Sequence, residues 1–156
     1  AYALVDPLPW SVIRHQSAPV RVALLEAHKK SADPSALLSA VADQSPEVVS
    51  EAVRLLGYTD RTVSKHVREY LEQSLVHESG EIRRLAARSI GWRGDVESFE
   101  KVQALLVDPR PGVREAAVRA LGRLDKSRAA GLEALQSLAS DNHPGTKRAV
   151  RSVVKP

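Results

Sequence analysis

Apolar residues recur along the chain at the spacing of one helical face. The segment from 111 to 122 shows this pattern most completely, at Val113, Ala116, Ala117, Ala120 and Leu121. Pro111 precedes the pattern, and proline suits the first helical turn, where the backbone amide has no intrahelical partner. Gly122 follows the pattern. The segment therefore predicts one short helix.

The same frame occurs elsewhere in the chain. With Val113 as the origin, the equivalent origins are Val20, Val48, Ile82 and Thr146. In chain order these origins lie 28, 34, 31 and 33 residues apart. The copy at Val20 is weaker, with Ala23, Leu24 and Ala27 in register, and the copy at Thr146 lacks the final glycine. Self-similarity at this period is typical of proteins built from stacked repeats.

The ends of these first helices carry their own signals. Ser45 and Ser79 each stand just before a predicted helix and are N-cap candidates. Gly57 and Gly91 repeat the position of Gly122, nine residues after the origin. Each of these glycines is predicted to end its helix in the left-handed conformation.

A second amphipathic segment follows each of the first four frames. Asp33, Asp60 and Asp95 precede three of these segments, and a fourth begins near Ser127. Their apolar residues are Leu37, Leu38 and Val41; Val63, Val67, Tyr70, Leu71 and Val76; Val96, Phe99, Val102, Leu105 and Leu106; and Leu132, Leu135 and Leu138. No region alternates as a strand does. One helix pair has too little apolar surface to bury alone, so we expect about four to five helical hairpins stacked into an all-α solenoid over residues 17–156.

Residues 1–16 lie outside the repeat frame. Pro7, Pro9 and Trp10 favour an N-terminal arm that covers the exposed end of the stack, or a linker from a preceding domain. The chain begins with Ala rather than Met, so we expect a processed form or a piece of a longer protein.

Composition and charge narrow the class of protein. The chain is 43% apolar and 27% charged, as in soluble folded proteins, and it has no continuous apolar run long enough to span a membrane. The absence of cysteine excludes disulfides and thiolate chemistry. The net charge of +4 is concentrated at the C-terminal end, where residues 110–156 contain ten Lys or Arg and four Asp or Glu. A basic end of this kind is compatible with an acidic partner or a nucleic acid.

The motif P-x-V-R-x-x-A-x-x-A-L-G at residues 111–122 resembles the short HEAT-like repeats named after the phycobilisome lyases. The resemblance covers about residues 17–156. It implies a curved, right-handed solenoid with first helices on the outside and second helices lining the concave face. HEAT-like arrays serve as scaffolds, adaptors and occasionally enzymes, so the resemblance is specific for the fold rather than for a function.

Two enzyme groups with HEAT-like folds were compared with the sequence. Deoxyhypusine hydroxylases hold two irons with repeated His-Glu pairs, whereas this chain has only His77 followed by Glu78. Alkylpurine DNA glycosylases use a basic groove with aromatic residues near a catalytic aspartate, as Trp92 and Asp95 suggest, but the predicted concave helices here are rich in glutamate. Trp92 also follows Gly91 as Tyr58 follows Gly57, which indicates a repeated packing role. We therefore predict that the chain is not an enzyme and holds no cofactor or metal.

Arginine recurs at two positions of the frame. Six residues after the origin, Arg54, Arg88 and Arg119 lie opposite the apolar face and predict a row on the outer surface. One residue after the origin lie Arg21, Arg83 and Arg114, with Lys147 matching. The family resemblance implies that this second position braces neighbouring repeats. The predicted partners, in the turns, are Asp43, Asp108 and Asp141.

Two binding functions are compatible with these patterns. The first is a non-catalytic protein–protein interaction scaffold that uses the concave, second-helix face, with the predicted contacts Arg61, Lys65, Arg68, Glu69, Glu72, Glu97, Glu100 and Lys101. The alternative is binding of nucleic acid or another anionic surface through the basic C-terminal repeats. Its predicted residues are Arg114, Arg119, Arg123, Lys147, Arg148 and Arg151.

Overall fold

The computed structural model describes residues 7–30, 33–60, 62 and 65–155. Within these residues the regular structure is helical and no strand occurs. The α-helices are α1 (Trp10–Ile13), α2 (Ala18–Leu25), α3 (Ser35–Ala40), α4 (Pro46–Leu56), α5 (Lys65–Ser74), α6 (Gly80–Arg93), α7 (Phe99–Gln103), α8 (Pro111–Leu124), α9 (Lys126–Ala130), α10 (Glu133–Ser137) and α11 (Pro144–Val154). Short 3₁₀ segments cover Glu26–Lys30, Val96–Ser98, Ala104–Val107 and Leu138–Ser140.

The helices stack as repeated hairpins. The first helices α2, α4, α6, α8 and α11 contact one another in chain order, and α3, α5 and α7 each pack against the first helix that follows them. We number the units from 1 to 5 by these first helices and name each junction by the two units that it joins. In the described part of the chain, four hairpins are thus followed by one single helix. This translational order confirms the predicted all-α solenoid.

The origin positions of units 2 to 5 are buried, and those of units 2 to 4 belong to one continuous apolar core. Val48, Ile82, Val113 and Thr146 are each at most 4% exposed. Full burial of one such apolar side chain stabilises a fold by about 1.5–3 kcal/mol. Each unit therefore supplies the apolar surface that its neighbours need.

The repeated glycines have a different role from the predicted one. Gly91 and Gly122 lie inside α6 and α8, which continue to Arg93 and Leu124. Gly57 caps α4 with φ −65°, and among the described glycines only Gly94 has a positive φ, 71°. The prediction of left-handed helix ends at these three positions is therefore wrong.

What the glycines provide is close contact between first helices. A Cβ on Gly57 would lie 2.9 Å from Cα of Ser89, and one on Gly91 would lie 2.8 Å from Cα of Ala120. A Cβ on Gly122 would lie 2.6 Å from Cγ2 of Val153. Each glycine thus faces the next first helix, at a distance that a side chain would not allow.

Several predicted apolar positions differ from the structure. In unit 1, Val20 is 42% exposed, and Leu25 is buried instead. The buried face of this unit is therefore shifted relative to the repeat frame. Val76 is 85% exposed because α5 ends at Ser74, and Val96 is 47% exposed before α7 begins. Val63 lies outside the described residues.

The fourth second helix is divided into two short helices. α9 ends before Gly131, and α10 begins after Leu132, whose extended backbone separates the two helices. Leu135 is fully buried in α10 as predicted, whereas Leu132 is partly buried beside the core. The predicted single helix of unit 4 is therefore wrong in this detail.

The chain before unit 1 packs on the stack where it is described. Ile13 in α1 is fully buried, α1 contacts α3, and His28 Nε2 lies 2.9 Å from the carbonyl oxygen of Leu8. Residues 7–16 thus cover this end of the solenoid.

Ser45 and Ser79 do occupy the N-cap positions of α4 and α6, but their side chains donate or accept no capping hydrogen bond. The neighbouring turn residues take over part of this role. Asp43 Oδ1 accepts a hydrogen bond from the Ser45 amide at 2.8 Å, and His77 Nδ1 accepts one from the Ser79 amide at 3.0 Å.

Candidate interaction surfaces

Charged side chains on the second helices pair across unit boundaries. Glu72 of α5 accepts hydrogen bonds from Lys101 of α7 and, at 2.7 Å, from Ser98 Oγ. Arg68 of α5 lies 3.5 Å from Glu97, and Glu100 of α7 pairs with Arg128 of α9. We call the surface formed by these residues and Glu69 the second-helix surface. Its charges lie in a ladder along the stack.

The predicted partner-binding residues are therefore brought together on one surface, apart from Arg61, which lies outside the described residues. Lys65 pairs with Glu69 at 3.3 Å within α5. Each described member of the set takes part in an ion pair. Exposed pairs of this kind contribute about 0–1 kcal/mol each, so a partner's charges can compete for them.

A groove of about 690 Å³ lies between α5 and the end of unit 3 on this surface. Leu75 and Leu105, at 2% and 7% exposure, form its apolar floor, and Val76 stands exposed beside it. Glu69 and Lys101 provide polar walls. The groove could not be predicted from the sequence, because helical spacing continues to Val76 and predicts that it lies on the buried face of a longer helix.

The pKa values of two glutamates reflect the ladder. Burial alone would raise the pKa of Glu72, but the hydrogen bonds from Lys101 and Ser98 outweigh it and lower that pKa below its usual value. The hydrogen bond from Arg128 lowers the pKa of Glu100. Both carboxylates are therefore charged at neutral pH.

The residues of the alternative anion-binding set lie in several different environments. Arg114 is bound to Asp141 at 2.7 Å, and Arg119 is 3.0 Å from Glu115. Arg123 stacks over the Trp92 ring, 4.3 Å from its centroid. The remaining cations lie on α11 and take part in no ion pair with the described residues: Lys147, Arg148 and Arg151.

The arginines one residue after the origin form the braces that the family resemblance implies. Arg21 binds Asp43 at 2.7 Å across junction 1/2, and Arg114 binds Asp141 across junction 4/5. At junction 3/4, Arg83 donates two hydrogen bonds to Asp108, at 2.7 and 3.1 Å. Each arginine also donates to a carbonyl oxygen of the turn before its own helix. We call this arrangement the turn brace, and it confirms the predicted pairs.

Junction 2/3 is bordered by a buried ion pair at the end of α6, for which the sequence carries no repeated signal. Arg93, fully buried at the end of α6, donates to Asp95 at 2.7 Å and to the carbonyl oxygen of Thr59 at 3.0 Å. Asp95 is also buried. Arg93 thus connects α6 to the turn that follows α4. Because both members of the pair are buried, we interpret it as a structural contact.

No three His, Asp or Glu side chains converge on a metal-sized site within the described ranges. None of the described helices has both the length and the apolar character needed to cross a bilayer.

Comparison with known sequences and structures identifies the repeat. A profile of HEAT repeats matches residues 34–115 and 68–154. The chain belongs to the HEAT-repeat family. No curated protein sequence matched the chain.

Solved structures with the same solenoid include the complex of CpcE and CpcF of phycocyanin lyase from Nostoc sp. PCC7120, with a TM-score of 0.70 and 19% identity. That match covers 98% of this chain and 66% of the other. A designed armadillo repeat protein in complex with the peptide (KR)4 matches with a TM-score of 0.66 and 17% identity, over 93% of this chain and 78% of the designed one. At these identities the likeness shows the fold alone.

Proposed function

We propose that this HEAT-repeat chain is a non-catalytic scaffold that binds an extended segment of another protein along the second-helix surface. The groove over Leu75 and Leu105 is the observation that carries the proposal. Its volume lies within the usual range for binding pockets, and an apolar floor with a few polar walls is the usual lining of such sites.

The charges around the groove indicate the chemistry of the bound segment. Glu69 is only weakly held by Lys65, at 3.3 Å, and its side chain is 42% exposed. An apolar side chain seated over the floor would place a neighbouring Lys or Arg within reach of Glu69. The carboxylates of Glu69 and Glu72 disfavour a phosphate backbone at the same place. A repeat protein of similar fold in complex with a basic peptide supports this choice of partner.

Selection from a random peptide library tests the proposal. We expect the enriched peptides to combine an apolar anchor with an adjacent Lys or Arg. The double variant Glu69→Lys, Val76→Asp should weaken their binding by about tenfold or more, which corresponds to the loss of one charge-assisted contact and one apolar contact. Fluorescence anisotropy with labelled peptides measures both affinities.

The matched control carries the same two substitution types away from the groove, at Glu133→Lys and Val154→Asp. Both of these residues are exposed. This control should bind within about twofold of the unmodified chain, since surface changes away from a contact have small effects. Equal binding by the groove variant and the unmodified chain would contradict the proposal. A labelled oligonucleotide in the same assay, with salt varied, tests the nucleic-acid alternative.

A further inference from the structure

Four arginines from two successive first helices surround one pocket of about 310 Å³. Its lining includes Arg84, Arg88 and Trp92 of α6 and Arg119 and Arg123 of α8. This pocket is built from first helices, whereas the groove of the proposed function is built from second helices.

The arginines around this pocket outnumber the carboxylates that pair with them. Arg84 donates to both carboxylate oxygens of Glu81, at 2.8 and 2.6 Å, and Arg119 donates to Glu115 at 3.0 Å. Arg88 and Arg123 form no ion pair with a carboxylate among the described residues, although the charge of Arg88 is close enough to help lower the pKa of Glu81. Two guanidinium groups at one place thus lack a direct carboxylate contact.

The Trp92 ring forms an exposed aromatic wall of the pocket. Trp92 is 54% exposed, and the Arg123 guanidinium lies 4.3 Å from its centroid. Burial, together with the nearby charges of Arg119 and Arg88, lowers the pKa of Arg123. A bound anion would relieve this repulsion among the cations.

We propose that this arginine pocket binds the phosphate monoester of a phosphorylated side chain on a protein partner. A phosphomonoester carries about −1.5 to −2 charges at neutral pH, which suits two guanidinium groups that form no ion pair. Guanidinium groups also bind phosphate oxygens through two parallel hydrogen bonds. The Trp92 wall offers apolar contact to the chain that carries the phosphate.

The surroundings of the pocket favour a single dianion over a nucleic-acid strand. A phosphodiester has one charge per phosphate and needs a continuous track of available cations. Here the next arginine of the outer row, Arg54, is paired with Glu51 at 2.6 Å, and Glu115 itself lines the pocket. The row of free positive charge is therefore interrupted towards unit 2.

Fluorescence of Trp92 provides a direct test. The chain has two tryptophans, so Trp92 is the only one left in a Trp10→Phe background. At constant ionic strength, N-acetyl-phosphoserine amide should change the Trp92 emission saturably. Dimethyl phosphate, N-acetyl-serine amide and a short single-stranded oligonucleotide should bind at least about tenfold more weakly, since each lacks the monoester dianion. Inorganic phosphate should also bind more weakly, because it lacks the organic group that would contact the Trp92 ring.

The Arg88→Gln variant removes one cation that forms no ion pair and leaves the stacked Arg123 in place. It should weaken phosphoserine binding by about tenfold, the effect of one lost charge-assisted hydrogen-bonding group. The matched control Arg151→Gln, on α11, should bind as the background does. Thermal unfolding followed by circular dichroism verifies that both variants fold. Equal binding of dimethyl phosphate, equal or tighter binding of inorganic phosphate, or unchanged binding by Arg88→Gln would overturn the proposal.

Discussion

Junctions 3/4 and 2/3 join neighbouring units with different chemistry. At junction 3/4, Arg83 and Asp108 form a largely buried turn brace, with side chains 13% and 5% exposed. At junction 2/3 the equivalent positions hold Val49 and His77, which cannot form this pair. Asp108 binds Arg83 and also accepts a hydrogen bond from the amide two residues later, that of Arg110. His77 makes only the second kind of contact, because its Nδ1 accepts a hydrogen bond from the Ser79 amide.

At junction 2/3 the polar contacts come from the C-terminal end of α6, whereas the turn-brace arginine of α6, Arg83, lies near its N-terminal end. Arg93 binds Asp95 and the carbonyl oxygen of Thr59 in the interior, and Ser89 Oγ donates to the carbonyl oxygen of Val53 at 2.8 Å. Both junctions thus have a polar tie, but the tie lies at a different place in each. The Arg93–Asp95 pair, with side chains 0% and 3% exposed, is the more deeply buried, so we expect it to respond more strongly to mutation than the turn brace does.

The largest effect is expected at the buried tie. Arg93→Met leaves Asp95 as an uncompensated buried carboxylate, and loss of one partner of such a pair costs about 3–5 kcal/mol of the free energy of unfolding. Chemical denaturation monitored by circular dichroism measures this loss. The double variant Arg93→Met, Asp95→Leu should recover a large part of it, because no buried charge remains. A loss below about 1 kcal/mol in the single variant would show that the pair does not hold junction 2/3.

The next effect concerns the glycine contact that supports junction 3/4. Gly91→Ala places a methyl group against Ala120 of α8 and should destabilise the fold by about 1–3 kcal/mol through overpacking. Gly112→Ala is the matched control, because its Cβ would lie 3.6 Å from Arg84 Cδ, an ordinary contact. The control should be neutral or more stable by up to about 1 kcal/mol, since alanine favours helix. Equal effects of the two changes in thermal melts would contradict the close-packing role of Gly91.

A smaller, pH-dependent effect is expected at the turn brace. Burial alone would raise the pKa of Asp108, but hydrogen bonds from Arg83 and the Arg110 amide outweigh it and lower that pKa. Asp108→Asn should therefore cost about 1–2 kcal/mol at neutral pH.

The lowered pKa fixes the sign of the pH dependence for Asp108→Asn. Because the folded-state pKa lies below the unfolded value of about 3.9, the contribution is complete above that pH and is lost as pH falls further. The difference in unfolding free energy between the unmodified chain and Asp108→Asn should accordingly shrink below about pH 4. A difference that stays constant down to about pH 2 would contradict the charged brace.

The smallest effect comes from building the missing brace into junction 2/3. Val49→Arg and His77→Asp reproduce the residues of junction 3/4. Val49 packs against the core, so the single change should destabilise the fold. The double-mutant cycle should nevertheless give a favourable coupling of about 0.5–1 kcal/mol between the two changes. Zero coupling would mean that the geometry of junction 2/3 does not admit the pair.

The stack and the brace could be predicted from the sequence because both repeat. A helical face at Val48, Ile82 and Val113 follows from spacing alone, and the Arg83–Asp108 pair follows from the family frame. The role of Gly91 could not be predicted, since a glycine at a fixed position indicates a left-handed turn or a close neighbour equally well. Only the distance to Ala120 separates these two explanations.

The described charged residues of the predicted surface lie together, but their pairing and the groove beside them could not be predicted. Glu72 and Lys101 lie 29 residues apart in the chain, and no local pattern links them. Val76 was assigned to the core because helical spacing continues past Ser74, where the helix itself ends. The arginine pocket likewise depends on α6 and α8 lying side by side, so that Arg123 meets Trp92.

The central claim is that each unit is stabilised by its neighbours along one axis. Native-state hydrogen exchange of the Arg93→Met variant tests this claim most directly. In a one-dimensional stack, weakening junction 2/3 should lower the protection of amides in α2 and α4 while α8 and α11 keep theirs. The unmodified chain, measured in parallel, gives the reference for each helix. An equal loss of protection in α4 and α11 would contradict the account, because it would mean that the chain opens as a single cooperative unit.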